Sequence, residues 1–320
     1  MTSPQTGIFA LGTASHAYLE FDLLAAADGG AAVALVAALR EPRTTIGGVN
    51  LVAGFRPELW AAIAPDATPP GVTGFNVPLA GPTGYVLPAT QHDVVIWLTG
   101  AAYDVVFDLS RGVVAALAGF ARLANEIVGW PYHRDLDLTG FMDGTENPTL
   151  VEATAVALIP PGSPAEGSSV LLLQQWEHDA IAWESLPLET QEATIGRRKA
   201  DSLELDPSPP NSHVARTNQD QFGRIFRRNI AYGTVARHGT IFVGFSADQR
   251  ILGGMLESMI GLGGGPPDRL TSFTRALTGA YYVIPSADRL AALAGHALAD
   301  FPAPDRARPD VPNSRGPGVG

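Results

Sequence analysis

Three short segments of the chain gather residues able to move protons, hold negative charge or ligate a metal. Between Arg197 and Arg237 stand seven arginines and Lys199 against four acids, Asp201, Glu204, Asp206 and Asp220. This stretch is +4 within a chain of net charge −11. Such a local excess suits an anionic ligand; a solvated surface strip is the alternative. Inside it, Phe226–Gly233 (FRRNIAYG) reads as a strand, with Arg227 and Asn229 on one face and Phe226 and Arg228 on the other. Arg227 with Asn229 makes a donor pair able to stabilise a developing oxyanion, although Arg-x-Asn on a strand is usually a surface ladder. Gly140–Pro148 (GFMDGTENP) reads first as a tight turn, then as a loop aiming the Asp143 carboxylate into a cavity, and last as a calcium loop. No complete EF-hand spacing is present. Of seven histidines, His213 stands out in NSHVART within the basic stretch. Neutral imidazole is a common haem ligand, and a lone loop histidine is otherwise an ordinary polar residue.

Positioning these groups requires a substantial scaffold. The chain has 320 residues, 46% apolar and 17% charged, with a mean hydropathy of +0.10, enough to bury a sizeable core in one large domain or two ordinary ones. The acidic balance argues against nucleic acid as a partner. There is no cysteine, which excludes disulfides, thiolate metal sites, iron–sulfur clusters and cysteine nucleophiles. The four methionines, Met1, Met142, Met255 and Met259, are few; that suits work with strong oxidants and equally suits compositional drift. The first basic residue is Arg40, and the apolar run Ala31–Leu39 is too short to span a bilayer. A cytoplasmic protein with no membrane partner is expected.

Hydrophobic periodicity predicts strands over Ala17–Leu24, Gly48–Phe55, Val94–Leu98 and Glu126–Tyr132, and helices over Ala31–Arg40, Pro57–Ile63 and Val105–Ala124. Further strands are expected over Ser169–Trp176, Ile225–Ile230, Thr240–Phe245 and Ala280–Ile284. Further helices fall over Gln191–Lys199, Arg250–Ile260 with Gly261 as a stop, Leu270–Leu277, and from an N-cap at Ser286 to Ala299. The mix is α+β. VNLVAGFRPELWAAI and GTIFVGFSADQRILGGML share a strand, a Gly-Phe, a turn and a helix, a weak repeat that suggests two related halves. Their boundary is expected near residues 137–165, where Gly, Pro and Thr concentrate.

GFMDGTENP, IGRRKADSLEL (Ile195–Leu205), NSHVART, FRRNIAYG, GTIFVGFS and DRLTSFTRALTGAYYVIP (Asp268–Pro285) occur together and in this order. In these motifs the chain resembles the dye-decolourising peroxidases, specifically the bacterial subgroup lacking an export signal. The match covers residues 140–285 well, and the N-terminal half only in general pattern. The resemblance implies two ferredoxin-like halves in a dimeric α+β barrel-like arrangement, each an antiparallel sheet with helices: residues 1–140, and a haem-binding half at 141–300. A Pro-rich tail, 301–320, is expected to be disordered. The implied cofactor is haem b. His213 matches the family's proximal ligand, Asp143 its distal acid, Arg227 its distal arginine and Asn229 the polar neighbour. Asp268 aligns with the carboxylate that accepts from the proximal imidazole, although Asp after Pro-Pro is also a good helix N-cap. Arg197 matches a basic residue near a haem propionate.

Two departures stand out. Ala231 occupies a position where the family often has Pro, and the tail PDVPNSRGPGVG does not resemble the peptide that loads this subgroup into encapsulin shells, so shell packaging is not expected. The resemblance implies a homo-oligomer that reduces hydrogen peroxide through a ferryl intermediate and oxidises small aromatic or dye-type reductants. Bulky donors cannot reach a buried haem edge, so Trp130, Trp176, Trp183, Tyr281 and Tyr282 are candidate electron relays, with core packing as the alternative. Two competing readings remain: a haem carrier without turnover, and an α+β scaffold binding some other anion at the basic stretch.

Overall fold

The computed structural model describes residues 2–39 and 48–294. Arg40, His296, the end of the helix expected to reach Ala299 and the tail 301–320 lie outside the described residues.

The strands are β1 (Ser15–Leu23), β2 (Val49–Phe55), β3 (Val94–Gly100), β4 (Ala121–Trp130), β5 (Ser169–His178), β6 (Phe226–Arg227), β7 (Ile230–Gly233), β8 (His238–Ser246), β9 (Thr274–Ala276) and β10 (Ala280–Ile284). All join one sheet. Its order is β9-β5-β10-β2-β3-β1-β4-β7-β8-β6, and β8 pairs back onto β5. The sheet therefore closes on itself, and its neighbouring strands pair antiparallel. The molecule is an α+β fold with a barrel-like antiparallel sheet. Closure removes the long open edges that would otherwise invite strand addition.

The N-terminal strands run β4-β1-β3-β2 and the C-terminal ones β10-β5-β8-β7, the same order by rank. The two sets meet through β4 with β7 and β10 with β2. By that order the counterpart of β8 is β3. The repeat noted in the sequence therefore aligns strands that are not equivalent, because any half-buried strand before a helix shares that local pattern.

Among the described residues ten helices accompany the barrel: α1 (Gly29–Ala38), α2 (Pro57–Ile63), α3 (Tyr103–Leu117), α4 (Leu150–Ala157), α5 (Ala180–Glu184), α6 (Leu188–Ile195), α7 (His213–Arg216), α8 (Gln219–Phe222), α9 (Gln249–Met259) and α10 (Ala287–Ala294). Strand alternation divides the apolar residues into layers. Tyr18, Val52, Trp97, Leu171, Leu173, Ile241, Val243 and Phe245 share one buried core inside the barrel. Ala17, Leu19 and Phe21 point outward into a second core with Val33, Val106 and Leu290 from α1, α3 and α10. A third, with Leu172, Leu252, Met255 and Leu256, lies between β5 and α9. Among the described residues no helix is long and apolar enough to cross a membrane.

Several expected boundaries move where distant pairing overrides local period. The helix expected to Ala124 ends at Leu117; Phe120 N then bonds Leu117 O at 2.8 Å, and Ala121 opens β4, whose partner is β1. The helix expected to Lys199 stops at Ile195, because Gly196 takes φ +93°. Residues 270–277 form a 3-10 turn over Arg269–Ser272 and then β9, an edge strand held by β5. The single strand expected over 225–230 is split into β6 and β7 along one edge of β8.

Candidate active site

A large cavity lies on the outer face of the C-terminal strands. Four alternate residues of β5, Leu172, Gln174, Trp176 and His178, line it, as do Thr240 and Phe242 of β8. From α9 come Leu252, Met255, Leu256 and Met259, the i, i+3, i+4, i+7 stripe of one helical face.

His213 lines this cavity from α7. Ser212 caps that helix through its Oγ, which accepts from Ala215 N at 3.2 Å. His213 Nδ1 donates to Asp268 Oδ2 at 2.6 Å. The other Asp268 oxygen accepts from Leu270 N at 2.8 Å and caps the 3-10 turn. The two roles that the sequence offers for Asp268 as alternatives are both filled, one per oxygen. Burial pulls the His213 pKa down, but the charge and hydrogen bond of Asp268 outweigh it and hold the imidazole above its ordinary value. With Nδ1 engaged, Nε2 is the ring nitrogen left for a ligand.

Asp143, Arg227 and Asn229 line the same cavity and also a smaller adjoining one that His213 does not reach. The strand break places them. Arg228 N bonds Val243 O at 2.8 Å, and the Asn229 side chain takes over the next acceptor role, its Oδ1 receiving Val243 N at 3.1 Å. Asn229 Nδ2 then donates to Asp143 Oδ1 at 3.3 Å. Gly144 N donates to the same oxygen at 2.7 Å, with Gly144 in the left-handed region at φ +71°. The expected alternation holds: Arg227 and Asn229 face the cavity, while Phe226 lies in the barrel core and Arg228 turns inward onto Ile8 O and Ala10 O. The Arg227 Nε is buried without a hydrogen-bond partner, so its guanidinium carries unused donor capacity beside the cavity.

Sequence reasoning missed two residues here. Asn147 clasps the Arg227 backbone: its Nδ2 donates to Arg227 O and its Oδ1 accepts from Arg227 N, both at 2.9 Å. This pins the GFMDGTENP loop to β6. Asp137 lines both cavities, and burial, then the charge of Asp143, pushes its carboxyl up to about 6. A second acid six residues before Asp143 in one loop was the available signal. Arg197 lines the cavity as well, but its Nη2 is already shared between Glu146 at 2.6 Å and Glu204 at 2.7 Å.

The remaining candidates separate by exposure. Trp176 forms cavity wall, Trp183 is buried with Nε1 donating to Thr139 O at 3.0 Å, and Tyr282 donates to Glu20 at 2.6 Å in the barrel. Tyr281 stacks on Phe75, and Trp130 is exposed. His178 is in the cavity wall; burial, then His238, lowers its pKa to about 4, so it is neutral. His92 is paired with Asp22 at 2.7 Å.

The cavity suits a large, flat, mostly apolar group with one metal centre. Its α9 wall is apolar along Leu252, Met255, Leu256 and Met259, and it brings the His213 imidazole, with Nε2 left for a ligand, into one space with the Arg227 guanidinium, whose Nε is unpartnered. Among the described residues no cluster of three or more His, Asp or Glu could chelate a bare ion.

Fold and site thus define an α+β barrel protein with a cavity between β5 and α9 that gathers a histidine, an acid, an arginine and an amide. The family model described as "Dyp-type peroxidase, C-terminal" matches residues 134–289. A dye-decolorizing peroxidase of Rhodococcus erythropolis is 36% identical over 258 residues, covering 78% of this chain and 75% of that protein. That of Brevibacterium linens is 34% identical, covering 76% and 68%. The crystal structure of a dye-decolorizing peroxidase from Bacteroides thetaiotaomicron superposes with a TM-score of 0.83 at 27% identity, over 92% of this chain and 99% of that one. A DypB variant from Rhodococcus jostii in complex with heme gives 0.79 at 32% identity, over 91% and 96%. The chain belongs to the dye-decolourising peroxidase family, a family of oxidoreductases.

Proposed function

We propose that the protein is a haem b peroxidase that reduces hydrogen peroxide and oxidises aromatic donors, with residues 141–300 as the haem-binding half. The observation that carries this reading is the pairing of His213 with buried Asp268 in a cavity that also gathers Asp143, Asn229 and the unpartnered Arg227. Haem bound there supplies the electrons that reduce peroxide and then draws them back, one at a time, from donors. His213 Nε2 would hold the iron, and Asp268 fixes the ring's tautomer and raises its basicity. Arg197, on the cavity wall and already paired with Glu146 and Glu204, would be the residue to meet a propionate.

Asp143 takes the proton from one peroxide oxygen and returns it to the other, which leaves as water. Arg227 stabilises the negative charge that grows on the departing oxygen. Asn229 positions Asp143, and the Val243 amide positions Asn229 in turn. Asp137, with its carboxyl near 6, is a second proton source at the shared mouth of the two cavities. A carrier of haem needs neither a base nor a cation beside the iron's open position, which is why the catalytic reading is preferred.

The test is stopped-flow absorbance of the haem-loaded protein mixed with one equivalent of peroxide. The Soret band of the parent is expected to shift rapidly. Asp143→Ala or Arg227→Ala slows that shift by about 10²-fold or more, and His213→Ala loses or alters the haem band. Slow bleaching without a shift in the parent, or parental rates in both Asp143→Ala and Arg227→Ala, overturns the mechanism.

A further inference from the structure

The chain carries few sulfur groups for peroxide to oxidise: no cysteine and four methionines. All three methionines among the described residues, Met142, Met255 and Met259, line the large cavity. With no thiol present, their thioethers are the soft nucleophiles within reach of an oxidant that enters there. The three differ in access. Met255 and Met259 are 6% and 9% exposed on the packed face of α9, whereas Met142 is 49% exposed and meets solvent as well as the cavity.

Met142 also sits where a change of polarity would be felt. Residues 135–143 fold into a small hairpin, in which Asp137 N donates to Phe141 O at 3.0 Å and Asp143 N donates to Asp135 O at 2.7 Å. Between those two bonds Met142 lies directly opposite Leu136. Opposed residues share a face of the ladder at close range, so Met142 and Leu136 form an apolar pair at the centre of the hairpin. Each is followed directly by one of the two acids of the site, Asp137 and Asp143. Oxidation to the sulfoxide turns the flexible apolar Met142 side chain into a polar one and sets a strong hydrogen-bond acceptor against Leu136. The hairpin that presents Asp143 to Asn229 is thereby loosened.

We propose that Met142 is a self-modification site, at which hydrogen peroxide in excess of reducing donors forms methionine sulfoxide and slows the enzyme until the sulfoxide is reduced. This rests on the peroxidase reading above. A lone pair of the Met142 sulfur attacks one peroxide oxygen, and the S–O bond forms as the O–O bond breaks. The departing hydroxide takes the proton of the transferred oxygen and leaves as water. The thioether has lost two electrons and the peroxide has gained them. A dithiol acting through a methionine sulfoxide reductase returns two electrons and two protons, which restores the thioether and releases the oxygen as water.

The experiment exposes the full-length haem-loaded protein to excess peroxide with no reducing donor and removes the peroxide with catalase at intervals. Each sample is divided between peptide mass spectrometry, Soret absorbance and turnover of a small phenol. One added oxygen atom is expected on Met142 ahead of Met255 and Met259. In step with it, turnover falls about two- to fivefold, the factor to which loss of one cross-strand pair converts, while the Soret amplitude is retained. Treatment with both methionine sulfoxide reductases and dithiothreitol recovers the mass and the rate together. Met142→Leu, apolar but not oxidisable, holds its own starting rate through the same exposure. Oxygen first on Met255 or Met259, a Met142 sulfoxide with no change of rate, or Met142→Leu slowing as the parent does overturns the proposal while leaving the peroxidase reading intact. A parent whose Soret band does not respond to peroxide overturns both.

Discussion

Replacing Asp268 with Asn tests the reasoning about the His213 partner most sharply, because the two side chains differ in little but acceptor count and charge. The Asp268 side chain is fully buried, and each oxygen accepts one hydrogen bond, from His213 Nδ1 at 2.6 Å and from Leu270 N at 2.8 Å. Asparagine offers a single acceptor oxygen. Whichever way its amide turns, its NH2 group faces one of the two donors. A buried donor left unsatisfied costs about 1–3 kcal/mol, and a hydrogen bond to a charged group contributes about 1.5–3 kcal/mol. Asp268→Asn is therefore expected to lower unfolding stability by about 2–4 kcal/mol. The control is Asp248→Asn, at the N-cap of α9, where the carboxylate is partly exposed and Asn caps as well as Asp. Guanidinium titration of the haem-free protein reads both through the midpoint, with an unchanged m-value as the sign that only stability moved. A loss at Asp268→Asn within about 0.5 kcal/mol of the control would refute the two-acceptor argument. In the haem-loaded protein the same change is expected to raise the reduction potential, since a neutral partner makes His213 a weaker electron donor.

Three other perturbations follow from the same geometry. Asp137 has a folded pKa of about 6 against an ordinary 3.8, so it is protonated in both states below about pH 4, and stability falls as pH rises from there to about 6. Asp137→Asn keeps both Thr139 contacts, which use a single oxygen, and should exceed the parent by about 3 kcal/mol at pH 7.5 but by well under 1 kcal/mol at about pH 4; urea midpoints at the two pH values check this, and an equal gap at both contradicts it. Gly196→Ala places a Cβ 2.7 Å from Ser212 Oγ at a left-handed φ, so a thermal midpoint lowered by the equivalent of about 2 kcal/mol and faster haem loss are expected. Gly239→Ala would put its Cβ 1.8 Å from the Trp176 carbonyl oxygen and part β8 from β5; circular dichroism should show no native fold, and a folded variant would contradict the closed-barrel pairing.

What could be read in advance divides by the range of the interaction. The facing of Arg227 and Asn229 was legible because strand alternation is local, and β8 then decided that this face looks onto the cavity. The split between β6 and β7 was not legible, since it depends on Asn229 replacing a backbone acceptor opposite Val243. The role of Asn147 was hidden because its partner lies 80 residues away. The surroundings of Arg197 were equally hidden: nothing local shows that Glu146 reaches it across 51 residues. Helix ends were misplaced wherever a strand pairing claimed the last turn, as at Ala121 and Thr274.

By itself the sequence determined the inventory: an α+β chain without thiols, with an acid in a Gly-rich loop, a histidine and an Arg-x-Asn strand in a basic stretch, and the motif order that marks the family. Tertiary structure alone decided how these groups meet. His213 and Asp268 are 55 residues apart, and Asp143 and Asn229 are 86 apart. Only closure of the barrel, with α9 packed over β5, brings them to one cavity, because side-chain period fixes the direction in which a residue points while strand register fixes what it points at.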